Sequence, residues 1–171
     1  MERKLELKDI AGYLPYDLYM EYKGANGIHS GVCKILAADF DGVKVYGFDF
    51  WVFYRQIKPI LRPSSDLYRP VMHNGKEVVP IVELAKITRP SLYCEFDKLN
   101  NTAVIEYSRD FYFCAVERDF KFKSRHYKLE YPIKNQYQLF DYLHELKIDY
   151  RGLIDAGLAI DCNTMENNPY K

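Results

Sequence analysis

Apolar residues recur along the first third of the chain in short runs broken by turn residues. The stretches "LYMEYK" (18–23), "GVCKILAADF" (31–40) and "VKVYGFDFWVFY" (43–54) are rich in β-branched and aromatic residues, which predicts three strands. Asp41-Gly42 between the last two is a two-residue hairpin turn. In the third run, alternation puts Val43, Val45, Trp51 and Phe53 on one face and Tyr46, Phe48, Phe50 and Val52 on the other. Both faces are apolar, so the pattern predicts a central strand covered on two sides, with Gly47 marking a bulge or a close backbone approach. Asp49 stands out among these neighbours. If dry it is a candidate general acid; the plainer reading is a strand-end aspartate paired with an arginine or a backbone amide.

The rest of the chain alternates between the two periods. "KDIAGYLPY" supports one helical turn, which Pro15 cannot continue. "QIKPILRPSSDL" (56–67) places Pro59 and Pro63 around Arg62, and Pro70 follows, so residues 56–70 are expected to be a stiff seam, neither central strand nor helix. A guanidinium held between two prolines is cheap to preorganise, which makes Arg62 a candidate binding residue. A hairpin at Asn74-Gly75 leads to "PIVELAKI" (80–87), with Pro80 at a first helical position. Residues 92–131 read as two to four antiparallel strands. Asn135 and Gln138 can cap a helix whose Leu139, Phe140, Leu143 and Leu146 share a face. Asp149 then caps a second short helix, which Gly157 ends with Leu153 and Leu158 in the contact of a Schellman motif. Residues 163–171 are polar and are expected to fray.

Composition narrows the class. The chain has 171 residues, 48% hydrophobic and 28% charged, with 16 tyrosines and 10 phenylalanines, which fits one α+β domain over residues 1–171. The expected architecture is a mainly antiparallel, aromatic-rich sheet, with a C-terminal helical hairpin and short helices packed on it. Formal charge is zero, so no global field draws the protein to nucleic acid or an anionic membrane. No apolar run is long enough for a helical membrane span, and "MERKLELKDI" lacks the core of a signal peptide, so the expected setting is cytoplasmic. Cys33, Cys94, Cys114 and Cys162 are scattered and read as reduced, buried structural thiols.

Motifs for chemistry are sparse. His29, His73, His126 and His144 share no ligand spacing with cysteine or carboxylate, and no phosphate loop, dinucleotide fingerprint or nucleophile elbow is present, so no metal or cofactor is expected. Asp49 and His126 are the candidates for a dispersed active site. The best surface feature is "FKFKSRHYK" (120–128). As a strand it points Lys121, Lys123 and Arg125 to one face with Tyr127 next in line, a basic stripe that fits single-stranded nucleic acid or another anionic partner. The same alternation also serves as the wet face and guarded edge of an ordinary antiparallel sheet.

Four stretches, "LELKDIAGYLPY", "IKPILRPSSDL", "GKEVVPIVELAKI" and "GLIDAGLAIDCNT", resemble a family of small uncharacterised proteins carried by phages, prophages and integrative elements of gut bacteria. The resemblance implies a mobile-element origin and a cytoplasmic life in a bacterial host. It brings no activity, cofactor or site residue. The function expected from these readings is a non-catalytic accessory protein that binds a host or phage macromolecule, as a regulator or counter-defence inhibitor. The alternatives are a nucleic-acid-binding factor and an enzyme with a dispersed site. Partner identity and oligomeric state are not legible in the sequence.

Overall fold

The computed structural model describes residues 3–24, 30–47, 49 and 51–171. His29, Phe48 and Phe50, named above, lie outside them. The fold is α+β, and the chain gathers into two compact units, residues 1–63 with 144–171 and residues 64–143.

In the first unit a helical turn, α1 (Leu7–Ile10), runs into a 3-10 turn over Ala11–Tyr16 that contains Pro15. Its strands are β1 (Tyr19–Lys23), β2 (Ser30–Ala38), β3 (Gly42–Val45), β4 (Trp51–Phe53), β5 (Ile57–Leu61) and β13 (Ile160–Asp161), ordered β13-β5-β1-β2-β3-β4. The pairings are antiparallel except β13 with β5. The Asp41-Gly42 hairpin is present: the Asp39 carboxylate accepts from the backbone N–H of Asp41 at 2.8 Å and of Gly42 at 3.0 Å. Met20, Ile35, Val43, Val45, Val52 and Leu61 form the apolar core with Tyr13 and Leu18.

The long third strand is not continuous. Gly47 takes φ +87°, a turn conformation, and the chain folds back so that β3 and β4 pair with each other. β4 is therefore an edge strand, with Val52 buried and Trp51 and Phe53 about half exposed. Asp49 lies exposed on the bend between them. The seam also differs from expectation, because β5 is a strand with neighbours on both sides despite Pro59. The sheet tolerates the missing donor because β13 is two residues long and begins opposite Ile60, one residue past the proline.

The second short helix of the C-terminal hairpin is replaced by capped turns. Asp149 accepts from the N–H groups of Ile154 at 2.7 Å and Arg151 at 3.2 Å. The Schellman bonds form, Leu158 N–H to Leu153 O at 2.8 Å and Gly157 N–H to Ile154 O at 2.9 Å. Gly152 and Gly157 both have positive φ, so too few residues lie between the two signals for a helix to propagate. Nor does the tail fray. The Tyr170 hydroxyl donates to Ile60 O at 2.9 Å and accepts from Tyr19 N–H at 3.1 Å, and burial pushes its pKa far up. An amphipathic tyrosine supplies apolar area and a hydroxyl that the polar composition of the tail concealed.

In the second unit a hairpin, β6 (Val71–His73) and β7 (Lys76–Val78), turns on Asn74-Gly75 as predicted. Next comes α2 (Pro80–Thr88), which buries Ile81, Leu84 and Ala85. Five antiparallel strands follow instead of two to four: β8 (Cys94–Asp97), β9 (Thr102–Ile105), β10 (Arg109–Cys114), β11 (Asp119–Ser124) and β12 (Glu130–Pro132). The apolar runs conceal turns at Glu106-Tyr107, at Arg118 and at Lys128, all with positive φ and none carrying glycine. Phe111, Phe120 and Phe122 form the aromatic core of this sheet, with the rings of Phe111 and Phe120 stacked at 5.4 Å. α3 (Gln136–Glu145) buries Leu139 and Leu143, and its Gln136 amide bridges the backbone of Phe120, accepting from N–H at 3.0 Å and donating to O at 2.6 Å. Among the cysteines Cys162 is buried, while Cys33, Cys94 and Cys114 are half-buried, and none of the four forms a disulfide.

Candidate functional site: two faces of one sheet

Strand register in the second unit sorts side chains onto two faces. Arg109 pairs with Ser124, Phe111 with Phe122 and Phe113 with Phe120, so these lie on the core side. Asp110 pairs with Lys123 and Tyr112 with Lys121, which places Lys121 and Lys123 together on the other side, as the alternation predicts.

That stripe is not bare. The Lys121 ammonium, only 13% exposed, sits 2.6 Å from Glu117 and 3.7 Å from Glu130. Lys123 lies in register between Asp110 and Glu130. Arg125 is beyond the end of β11, where its Nε donates to Asp110 at 2.6 Å and its Nη2 to Asp97 at 2.7 Å. The Glu117 carboxylate holds the Lys121 pKa well above its ordinary value, and the Asn100 amide followed by Arg125 holds that of Asp97 down. The Tyr112 hydroxyl donates to Glu130 at 2.6 Å and, with Lys121, keeps that carboxyl low as well. Asp110, Tyr112, Lys123, Arg125 and Glu130 line a polar hollow of about 680 Å³ on this face. Lys121 and Arg125 are answered there by carboxylates, while Lys123 and Lys128, which also border the hollow, lie beside Asp110 and Glu130 without an ion pair among the described residues.

The core face opens at its Ser124 end into a cleft of about 670 Å³, nearly the same size. Phe122, Ser124 and Ile133 form its buried floor. Arg89 follows the last turn of α2, Arg109 enters from β10, Lys134 follows β12, and His126, Tyr127 and Tyr131 complete the rim. Among the described residues no aspartate or glutamate lines it. Arg89, Arg109 and Lys134 have no ion-pair partner among the described residues; Lys123 and Lys128 on the opposite face have none either, but they lie beside Asp110 and Glu130, whereas the cleft lining offers no carboxylate. The Arg89 guanidinium lies over the Phe122 ring at 5.9 Å, so it is parked on the floor of the cleft instead of swinging free.

Local bonding builds this rim. Ser124 Oγ accepts from Tyr127 N–H at 3.2 Å, and Ser124 N–H and O pair with Leu129 O and Lys128 N–H at 2.9 and 3.0 Å. Lys128 at φ +58° closes the turn and carries Tyr127, 76% exposed, to the cleft rim. Tyr127 thus departs from the stripe in which alternation placed it, because the strand ends at Ser124.

The other sequence candidates are dispersed. Arg62 belongs to the first unit and is 7% exposed; its Nη2 donates to Tyr170 O at 3.2 Å and its backbone bridges Lys147 and Asp149 at 2.8 Å on each side. It is a structural clasp for the C-terminal segment. Asp49 is on the first unit and His126 on the second. Among the described residues no group of three or more His, Cys, Asp or Glu is placed to hold a metal ion, and no helix is long and apolar enough to cross a membrane.

The sequence reading missed Arg89, Arg109 and Lys134. Each stands alone in its segment, so no local motif marks them. Compared with known proteins, the chain matches no family model, no curated protein and no solved structure.

Proposed function

We propose that this protein is a non-catalytic binding protein that holds a macromolecule of a host cell or of the phage or mobile element that encodes it, acting as a regulator or counter-defence inhibitor. In this reading the recognition surface is the cleft of the second unit. The observation that carries it is the lining: three cationic side chains without ion-pair partners and two exposed tyrosines over an apolar floor. Unpaired guanidinium and ammonium groups repay their desolvation only when an anion arrives, and arginine and tyrosine are the residue types that dominate binding hot spots. The origin and the cytoplasmic setting rest on the four sequence blocks that resemble mobile-element proteins.

The test is affinity capture of tagged protein from phage-infected host lysate, with and without nuclease, for the wild type, for Arg89→Glu/Arg109→Glu/Lys134→Glu and for Lys121→Gln/Lys123→Gln. A specific partner retained by the wild type and the stripe variant but lost from the cleft variant supports the reading. A partner lost with the stripe variant and kept by the cleft variant overturns it.

A further inference from the structure

The lining of the cleft specifies more than negative charge. Cations alone would suit any anion, but here they are interleaved with aromatic rings, Tyr127 and Tyr131 at the rim and Phe122 on the floor beside the aliphatic Ile133. Register places Tyr131 directly across from Phe122, so ring and ring are neighbours on one face. An acidic peptide brings carboxylates, but a flat ring only where an aromatic residue happens to accompany them. A nucleotide joins an anionic phosphate to a flat base, and a strand of them repeats the pair.

We infer that the cleft binds single-stranded nucleic acid, seating unstacked bases against Tyr127 and Tyr131 and the phosphates on Arg89, Arg109 and Lys134; this rests on the cleft being the recognition surface. Duplex fits poorly, because its bases are already stacked and offer no free plane. The absence of carboxylates from the lining removes the repulsion that phosphates meet on the stripe face. Asn135 adds a polar group to the lining, its Nδ2 donating to Gln138 Oε1 at 2.9 Å. The volume, about 670 Å³, lies within the usual range for a site that encloses part of a ligand. This places nucleic-acid binding on the side of the sheet opposite the basic stripe.

The experiment is fluorescence anisotropy of the full chain with labelled oligothymidylate and oligouridylate over a salt series, with a duplex, thymidine monophosphate and polyglutamate as competitors. Three phosphate contacts give a slope of log affinity against log salt near about −2, and Arg109→Gln removes roughly 0.7 of it. Tyr127→Ala/Tyr131→Ala weakens binding about tenfold or more with the slope unchanged, since stacking carries no counterion release. Because Tyr127 is largely exposed, Tyr127→Ala alone serves as a milder second variant. Binding that is lost in these variants and resists the duplex and polyglutamate supports the inference. Equal competition by the duplex, by the free nucleotide or by polyglutamate overturns it, as does oligonucleotide binding indifferent to the cleft variants. Failure of every oligonucleotide to bind, while a lysate partner still depends on Arg89, Arg109 and Lys134, overturns this inference and leaves the broader binding role standing.

Discussion

Two faces of the five-stranded sheet are built from alternate residues of the same strands and enclose hollows of almost equal volume, yet they differ in electrostatic character. On the stripe face Lys121 and Arg125 meet carboxylates from β8, β10, β12 and the turn before β11. On the cleft face Arg89, Arg109 and Lys134 meet none among the described residues. A run of cations along one strand is therefore a poor guide to a free basic surface, because the neighbours in register, often distant in sequence, decide whether the charge is already answered. Charges already held by a carboxylate give up little to a ligand, whereas those without one, Arg89 over the Phe122 ring included, remain available to an anion.

The largest change comes from the layer between the faces. Phe111 is fully buried against Phe120 and Phe122, and Phe111→Ala is expected to cost about 3–5 kcal/mol and to disturb both faces together, read by urea denaturation. A smaller loss separates them. Arg125→Ala removes two charge-assisted hydrogen bonds from a side chain that is one-third exposed, so about 1 kcal/mol at most is expected, with cleft binding kept.

Acid probes the same pairing without mutation. Asp97 and Glu130 are held below their ordinary pKa values, so their contribution is fully present above the usual carboxylate range and is lost as pH falls from that range through their lowered values. The melting temperature should drop below about pH 4, and Asp97→Asn with Glu130→Gln should flatten that part of the curve. The smallest effect belongs to the cleft: Arg89→Ala/Arg109→Ala/Lys134→Ala should leave stability within about 0.5 kcal/mol of wild type per substitution while abolishing capture of the partner.

Much of the fold was legible because local signals agree with it. The Asp41-Gly42 and Asn74-Gly75 hairpins, Pro80 at the start of α2 and the Leu139–Leu143 face of α3 all follow from short-range chemistry. What escaped was decided by distant partners. Pro59 enters a strand because β13, a hundred residues later, begins just past it. Tyr170 anchors a polar tail through Ile60 and Tyr19. The turns at Glu106-Tyr107, Arg118 and Lys128 occur without the glycine or asparagine that would announce them, and Tyr93 stacked on Tyr107 at 5.6 Å helps hold the first. Of the candidate site residues, Lys121 and Lys123 share a face as alternation requires, but the Glu117 and Glu130 carboxylates that answer Lys121 could not be read from one strand. Tyr127 reaches the cleft only because β11 stops at Ser124.

The most direct measurement compares affinity for the captured ligand, over a salt series, in two variants of equal formal charge change, Lys121→Ala/Lys123→Ala and Arg109→Ala/Lys134→Ala. If recognition lies in the cleft, affinity and salt slope stay nearly unchanged in the first and both fall sharply in the second. The reverse pattern, with the stripe variant losing binding and the cleft variant keeping it, would contradict the assignment of recognition to the cleft.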